Sequence, residues 1–138
     1  MIAGMGVVTH LAWGDSWRRP KEGLGRVVDG IQAKSAELPK PTEADDPSVD
    51  IYIYVSGAVW QHNADGFKLG KLSSRGRSWL RVMIYVPDNL KDEDESKTFF
   101  TATFESVADA VEARLRKRRP DWPVDTLVQQ VRLLKPFA

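Results

Sequence analysis

The sequence contains no cysteine, few histidines and no long apolar run, and each of these absences excludes a class of protein. Without cysteine the chain has no disulfide, no thiolate metal site and no cysteine nucleophile, which fits a reducing compartment. No stretch approaches the ~20 apolar residues of a membrane-spanning helix. Residues 1–13 are apolar but carry no preceding Lys or Arg, so they are interpreted as a strand and not as a signal peptide. We expect a cytoplasmic protein without a membrane segment.

Net charge is also nearly absent, because 20 Lys and Arg residues face 19 Asp and Glu residues and give +1. A balance this close excludes a strong field over the whole molecule, so a charged partner would have to meet a local patch. At 138 residues the chain is about one domain long. We therefore predict a single α+β domain over residues 1–138.

The common catalytic signatures are missing. The chain has no phosphate-binding loop and no Gly-x-Ser-x-Gly elbow, and its paired glycines lack the third glycine of a dinucleotide fingerprint. His62 and Asp65 share a turn, but two ligands do not make a metal site. His10 lies in an apolar strand and is interpreted as a partly buried histidine with its hydrogen bonds satisfied. We expect no metal and no cofactor, and we favour a binding protein over an enzyme.

Alternation of apolar and other residues is the clearest pattern in the chain. Over residues 49–60 nearly every second residue is apolar, beginning at Val49, whereas Tyr52 and Tyr54 have the opposite parity. Such alternation predicts a half-buried strand. Related patterns predict further strands at residues 5–13, 67–73, 79–86 and 97–104.

Helical spacing appears in three places. Apolar residues at intervals of three, four and seven predict a helix over residues 20–38. Ser106 is a plausible N-cap for a second helix that ends at Arg119, and Pro123 opens a third. Gly66 ends a turn and can adopt positive φ. The order β-α-β-β-β-β-α-α predicts an antiparallel β-meander of four to five strands with one N-terminal and two C-terminal helices packed on it.

One face of the predicted sheet is unusually aromatic, and it also carries a cation. Its residues are Tyr52, Tyr54, Trp79, Arg81 and Tyr85. Three interpretations compete. Because three helices are enough to cover both faces, a second core layer comes first. A protein-binding patch comes next, since Tyr, Trp and Arg anchor interfaces, and an RNA-binding sheet module comes third.

Two charged segments have an ordinary and a functional interpretation. Pro87-Asp88 with Glu95-Ser96-Lys97 resembles the Pro-Asp … Glu-x-Lys signature of the restriction-endonuclease-like superfamily, in which two carboxylates hold a divalent metal and a lysine positions water. The two parts of the signature are separated by only a short gap, and the Glu-x-Lys triplet lies at the start of a predicted strand instead of within it. An ordinary acidic loop is therefore favoured, and a Mg²⁺-dependent nuclease is kept as an alternative. The basic residues 114–119 suit a helix C-terminus better than a phosphate site.

The strands carry a resemblance to a known family. The matching segments are VDIYIYVSG (49–57), GFKLGKLS (66–73) and LRVMIYVP (80–87), followed by a helix containing Ala108, Ala110 and Ala113. This stretch resembles bacterial immunity proteins of polymorphic-toxin and contact-dependent growth inhibition systems. The resemblance implies a small cytosolic α+β protein that neutralises a cognate toxin by direct association. It implies no catalytic residues and transfers no toxin-contacting positions.

Acidic residues are the candidate toxin contacts if that toxin is a basic nuclease, because opposite charge steers association. The candidates are Asp45, Asp46, Asp88, Asp92, Glu93, Asp94 and Glu95. For any one of them, solvation of a loop is the ordinary explanation. The sequence leaves the toxin, the contact surface and the oligomeric state undetermined.

Overall fold

The computed structural model describes residues 5–13, 22–43, 46–55, 66–73, 79–87, 90 and 92–136. Within these residues, three helices pack on a four-stranded sheet. The elements in chain order are β1 (Gly6–Trp13), α1 (Glu22–Ala36), β2 (Ser48–Val55), β3 (Phe67–Ser73), β4 (Trp79–Val86), α2 (Glu93–Arg118) and α3 (Val124–Leu133). No helix in this part of the chain is long and apolar enough to cross a membrane.

The sheet is mixed, so the predicted antiparallel meander is wrong. Its strand order is β1-β2-β4-β3, in which β2 pairs in parallel with both β1 and β4, and β3 is antiparallel to β4. Helix α1 connects β1 to β2 and so allows the parallel pair, because parallel strands need a crossover connection. β4 lies between β2 and β3, which therefore do not pair. Alternation along a strand is the same in either pairing and could not reveal this order.

The strand predicted at residues 97–104 is also wrong, because these residues belong to α2. The helix begins at Glu93, where the Asp92 side chain caps it by accepting a hydrogen bond of 2.8 Å from the Glu95 N–H. Ser106, the predicted cap, lies exposed in the middle of the helix. Phe100 and Phe104 share a parity, but they are also four residues apart and thus lie on one helical face. Both are fully buried.

The core lies on one side of the sheet. On β2 and β4 the inner residues are paired across the strands and have no exposed surface; they are Val49, Ile51, Ile53, Leu80, Val82 and Ile84. The buried residues of α1, α2 and α3 belong to the same core, and α2 packs against both other helices. The helices therefore form a single layer on the inner face of the sheet.

Two glycines of α1 have different surroundings. A Cβ atom at Gly23 would lie 2.6 Å from the backbone nitrogen of Glu93, so the absence of a side chain lets α1 approach the start of α2. A Cβ atom at Gly30 would meet nothing within 4 Å. From the sequence alone, both glycines are expected only to weaken the helix. The structure shows that glycine is needed at position 23 for the close packing of α1 against α2. Gly66 adopts φ of 78°, as predicted for its turn.

We predict opposite effects for the same substitution at these two positions. Gly30→Ala should raise the free energy of unfolding by up to about 1 kcal/mol, because alanine is the better helix former. Gly23→Ala should lower it, because the new methyl group would push the α1 backbone away from α2. Urea unfolding followed by circular dichroism measures both. Equal stabilisation by the two variants would contradict the described contact between α1 and α2.

Candidate binding face

The sheet surface opposite the helices, here called the outer face, is formed by alternate residues of all four strands. The strand register aligns His10 with Tyr52, Tyr52 with Met83, and Met83 with Lys68. The described side chains of the outer face are Val8, His10, Ser48, Asp50, Tyr52, Tyr54, Lys68, Arg81, Met83 and Tyr85. Most of them are partly or fully exposed, in contrast to the sealed inner face.

Four rings on the outer face form a row of nearly parallel planes. The His10 and Tyr52 ring centroids are 4.3 Å apart, with planes inclined by 16°. Tyr52 and Tyr54 are 6.4 Å apart, and Tyr54 and Tyr85 are 5.6 Å apart, with inclinations of 16° and 17°. Because side chains stand roughly perpendicular to their sheet, the rings present their edges to the outside. Burial, and then the nearby Tyr54, raise the pKa of Tyr85, so its phenol is neutral at physiological pH.

A cation completes this row. The Arg81 guanidinium lies 5.0 Å from the centroid of the Tyr52 ring, within the range of a cation–π contact. Arg81 and Lys68 are both exposed. Within the described residues, neither of them forms an ion pair with a carboxylate of the chain.

One carboxylate lies beneath the row. Asp50 is 7% exposed and accepts a 2.5 Å hydrogen bond from the Ser48 hydroxyl. Its other oxygen is 3.7 Å from His10 Nε2, a nitrogen that has no hydrogen-bond partner among the described residues. The prediction that the hydrogen bonds of His10 are satisfied therefore finds no described partner at this nitrogen. Because Ser48 donates to a carboxylate and not to the histidine, the three residues do not form a nucleophile–base pair.

The sequence-predicted aromatic patch is largely assembled by the sheet. Tyr52, Tyr54, Arg81 and Tyr85 lie together on the outer face. Trp79 begins β4 opposite Ser48, but its side chain lies outside the described part of the chain. The helix layer packs on the other side, so the described structure does not make this patch a second core layer. His10, Met83 and Lys68 also belong to it, and only the strand order could have identified them.

Four of the sequence-predicted acidic residues lie at the start of α2 and not on the outer face. Asp92 caps α2, and Glu93, Asp94 and Glu95 form its first turn, where negative charge is favourable. Glu93 lies 3.2 Å from Arg26 and 3.4 Å from Lys97.

The remaining three acidic candidates are Asp45, Asp46 and Asp88. Asp46 accepts hydrogen bonds from the backbone of Thr42 and Glu43 at 2.8 and 2.7 Å, whereas Asp45 and Asp88 lie outside the described residues. A toxin contact by any of the seven acidic residues stays a prediction.

The nuclease alternative finds no support in the described geometry. Glu95 and Lys97 are two residues apart on a helix and therefore do not face the same side, and Lys97 pairs with Glu93. Asp88, His62 and Asp65 lie outside the described residues. Among the described residues, no group of three potential metal ligands occurs.

The basic residues near the end of α2 mostly serve the fold. Arg114 donates to the Gly70 carbonyl oxygen at 2.9 Å, which ties the helix to β3. Arg116 pairs with Glu112 and Asp125, and Arg119 pairs with Asp121.

Concave regions also occur on the helix layer among the described residues. A cavity of about 590 Å³ lies between the ends of α1 and α3, and it is lined by Lys34, Glu37, Leu38, Gln129, Arg132, Leu133 and Lys135. Its cations are engaged, because Arg132 and Lys135 both bind Glu105 and thereby lower the pKa of that carboxyl. A shallower groove of about 410 Å³ lies beside the first turns of α2. The cavity has no aromatic side chain in its lining. The groove is lined by one ring, Phe99, with the carboxylates of Asp94 and Glu95 and no cation, whereas the outer face combines several rings with exposed cations.

Comparison with protein-family models, with curated proteins and with solved structures found no match for this chain. The outer face therefore has to be judged on its own geometry.

We predict that Asp92 contributes to stability as a helix cap. Asp92→Ala should lower the free energy of unfolding by about 1 kcal/mol, whereas Asp92→Asn should cost little because asparagine is an equally good cap. Chemical denaturation of the two variants separates the cap from the charge. If both variants lost the same stability, the charge and not the cap would matter, contrary to the described hydrogen bond.

Proposed function

We propose that this protein is an immunity-type binding protein that neutralises a cognate bacterial toxin by direct association through its outer face. One observation supports this most: a row of parallel rings and an exposed arginine occupy the side of the sheet opposite the helix layer. Tyr, Met and Arg are the side chains enriched at protein interfaces. The resemblance of the strands to immunity proteins gives the same class of function.

The outer face is preorganised for binding because its strands are anchored in the hydrophobic core. Ile51 and Ile53 alternate with Tyr52 and Tyr54, Leu80 and Val82 flank Arg81, and these four residues have no exposed surface. The strands that carry the rings are therefore fixed by the core. Tyrosine has few rotatable bonds and loses little conformational entropy on binding. Prior stacking of the rings reduces this cost further. A partner would therefore meet a preformed surface.

The ring arrangement favours a protein partner over RNA. Sheet-based RNA binders stack unpaired bases on open aromatic faces. Here Tyr52 has His10 as a stacking neighbour and Arg81 over its ring, and Tyr54 and Tyr85 are stacked neighbours of each other. The ring edges and hydroxyl groups are left for contact, and these suit the polar and aliphatic groups of a polypeptide.

Toxin neutralisation can be tested by co-expression. We expect this protein to restore the growth of cells that produce a toxin domain encoded beside its gene, and to bind that domain in isothermal titration calorimetry. Tyr54→Ala should weaken binding by about tenfold or more, because Tyr54 lies in the middle of the row. Leu133→Ala is the matched control. Leu133 is 53% exposed and belongs to α3, which lies on the other side of the sheet from the outer face.

Two outcomes would contradict the proposal. If growth arrest persisted and no association were measured, the immunity function would be refuted. If Tyr54→Ala bound the toxin as tightly as the wild type while Asp94→Asn weakened it, the contact surface would lie at the start of α2, where the acidic residues were predicted to act. Circular dichroism of each variant checks that the fold is retained.

A further inference from the structure

We infer that the outer face recognises an acidic polypeptide segment, whose carboxylates are bound by Arg81 with the help of Lys68. This inference rests on the proposed function, because it specifies the chemistry of the partner that the same face would bind. It differs from the hypothesis drawn from the sequence, in which the acidic residues contact the toxin if that toxin is a basic nuclease.

The charges on the outer face are unequal. Arg81 and Lys68 are exposed cations, whereas the carboxylate Asp50 is buried and already accepts a hydrogen bond from Ser48. A partner segment on this surface would therefore meet positive charge from the described residues. Complementary negative charge on the partner would speed association and fix its orientation.

Arg81 differs from most of the described arginines. Four of them pair with carboxylates of the chain itself, namely Arg26, Arg116, Arg119 and Arg132. Arg81 instead lies over the Tyr52 ring, and no described carboxylate pairs with it. Its N–H groups are thus available to a partner, and the planar guanidinium can bind a carboxylate through two parallel hydrogen bonds.

The ring beneath Arg81 also prepares it for this role. Contact with Tyr52 restricts the long side chain before a partner arrives, so less entropy is lost on binding. His10 stacks on Tyr52 in turn, and Asp50 lies near His10. The position of the guanidinium is therefore supported by a chain of contacts that reaches the buried base of the outer face.

A phosphate backbone could also bind Arg81. Nucleic acid bases, however, would find few open tyrosine faces on which to stack, because the rings already stack on one another, on His10 or under Arg81. Nucleic acid affinity also depends on several phosphate contacts, and the described outer face supplies two exposed cations. The polypeptide is therefore the occupant that the geometry favours, and nucleic acid is an outcome that the experiment must distinguish.

The composition of the chain provides a specific probe. The protein has three tyrosines, and all of them lie on the outer face. Ring-labelled tyrosine therefore gives NMR signals from this surface alone. The labelled protein is titrated with a short peptide that alternates glutamate and valine, with the same peptide carrying glutamine, and with a short uridine oligonucleotide.

We expect the glutamate peptide to shift the tyrosine signals in a saturable manner, with an affinity about tenfold above that of the glutamine peptide. The double variant Arg81→Glu with Lys68→Glu should lose this response. Lys117→Glu with Arg118→Glu changes the net charge equally in the last turn of α2 and should keep it. Added salt should weaken the wild-type response.

Three results would overturn the inference: tyrosine signals unmoved by the glutamate peptide, equal loss in the two double variants, or tighter binding of the uridine oligonucleotide, which would assign the outer face to nucleic acid. Failure of the proposed function is distinguishable. If no toxin is neutralised but the peptide response depends on Arg81, the immunity function fails and the acidic preference stands. If a toxin is bound equally well by the Arg81→Glu, Lys68→Glu variant, the acidic preference fails and the immunity function stands.

Discussion

The rest of the structure depends on the burial of one face of the sheet under the three helices. β2 lies between two parallel neighbours, and its inner residues Val49, Ile51 and Ile53 are completely buried under the helices. Because successive side chains of a strand point to opposite faces, burying these residues forces Tyr52 and Tyr54 outward. A slip of one residue would exchange the two faces and expose the core. The position of the outer rings therefore follows from the hydrophobic core and needs no separate stabilisation.

Most of the described charged residues of the helix layer stabilise the helices or join them to one another. The acidic first turn and basic last turn of α2 match its dipole, and Gly23 lets α1 approach the start of this helix. Arg132 and Lys135 bind Glu105 and so join α3 to α2. Arg81 takes part in no such described pairing, which is why it stands out as a residue available for recognition.

Part of this structure could be predicted from the sequence, for identifiable reasons. Alternation correctly placed β4 and residues 49–55 of β2, with the faces on which their residues lie, and Pro123 correctly marked the start of α3. Residues 56–60 of the predicted strand lie outside the described residues. Strand order could not be predicted, because alternation does not distinguish parallel from antiparallel neighbours. The error at residues 97–104 arose because Phe100 and Phe104 fit both a strand and a helix.

The candidate site was likewise predictable within each strand but not across strands. The tyrosines and Arg81 follow from parity within their own strands, whereas His10 joins them only because β1 pairs with β2. The contact between Arg81 and Tyr52 likewise depends on the register of β2 with β4.

The tyrosine row faces solvent, and the helices cover the opposite side of the sheet. Hydroxyl-radical footprinting with mass spectrometry tests this most directly, because it reports the solvent contact of aromatic side chains. We predict that Tyr52, Tyr54 and Tyr85 are oxidised in the folded protein while Phe100 and Phe104 are protected. Tyrosines protected as strongly as the two buried phenylalanines would contradict the account, since the outer face would then be covered.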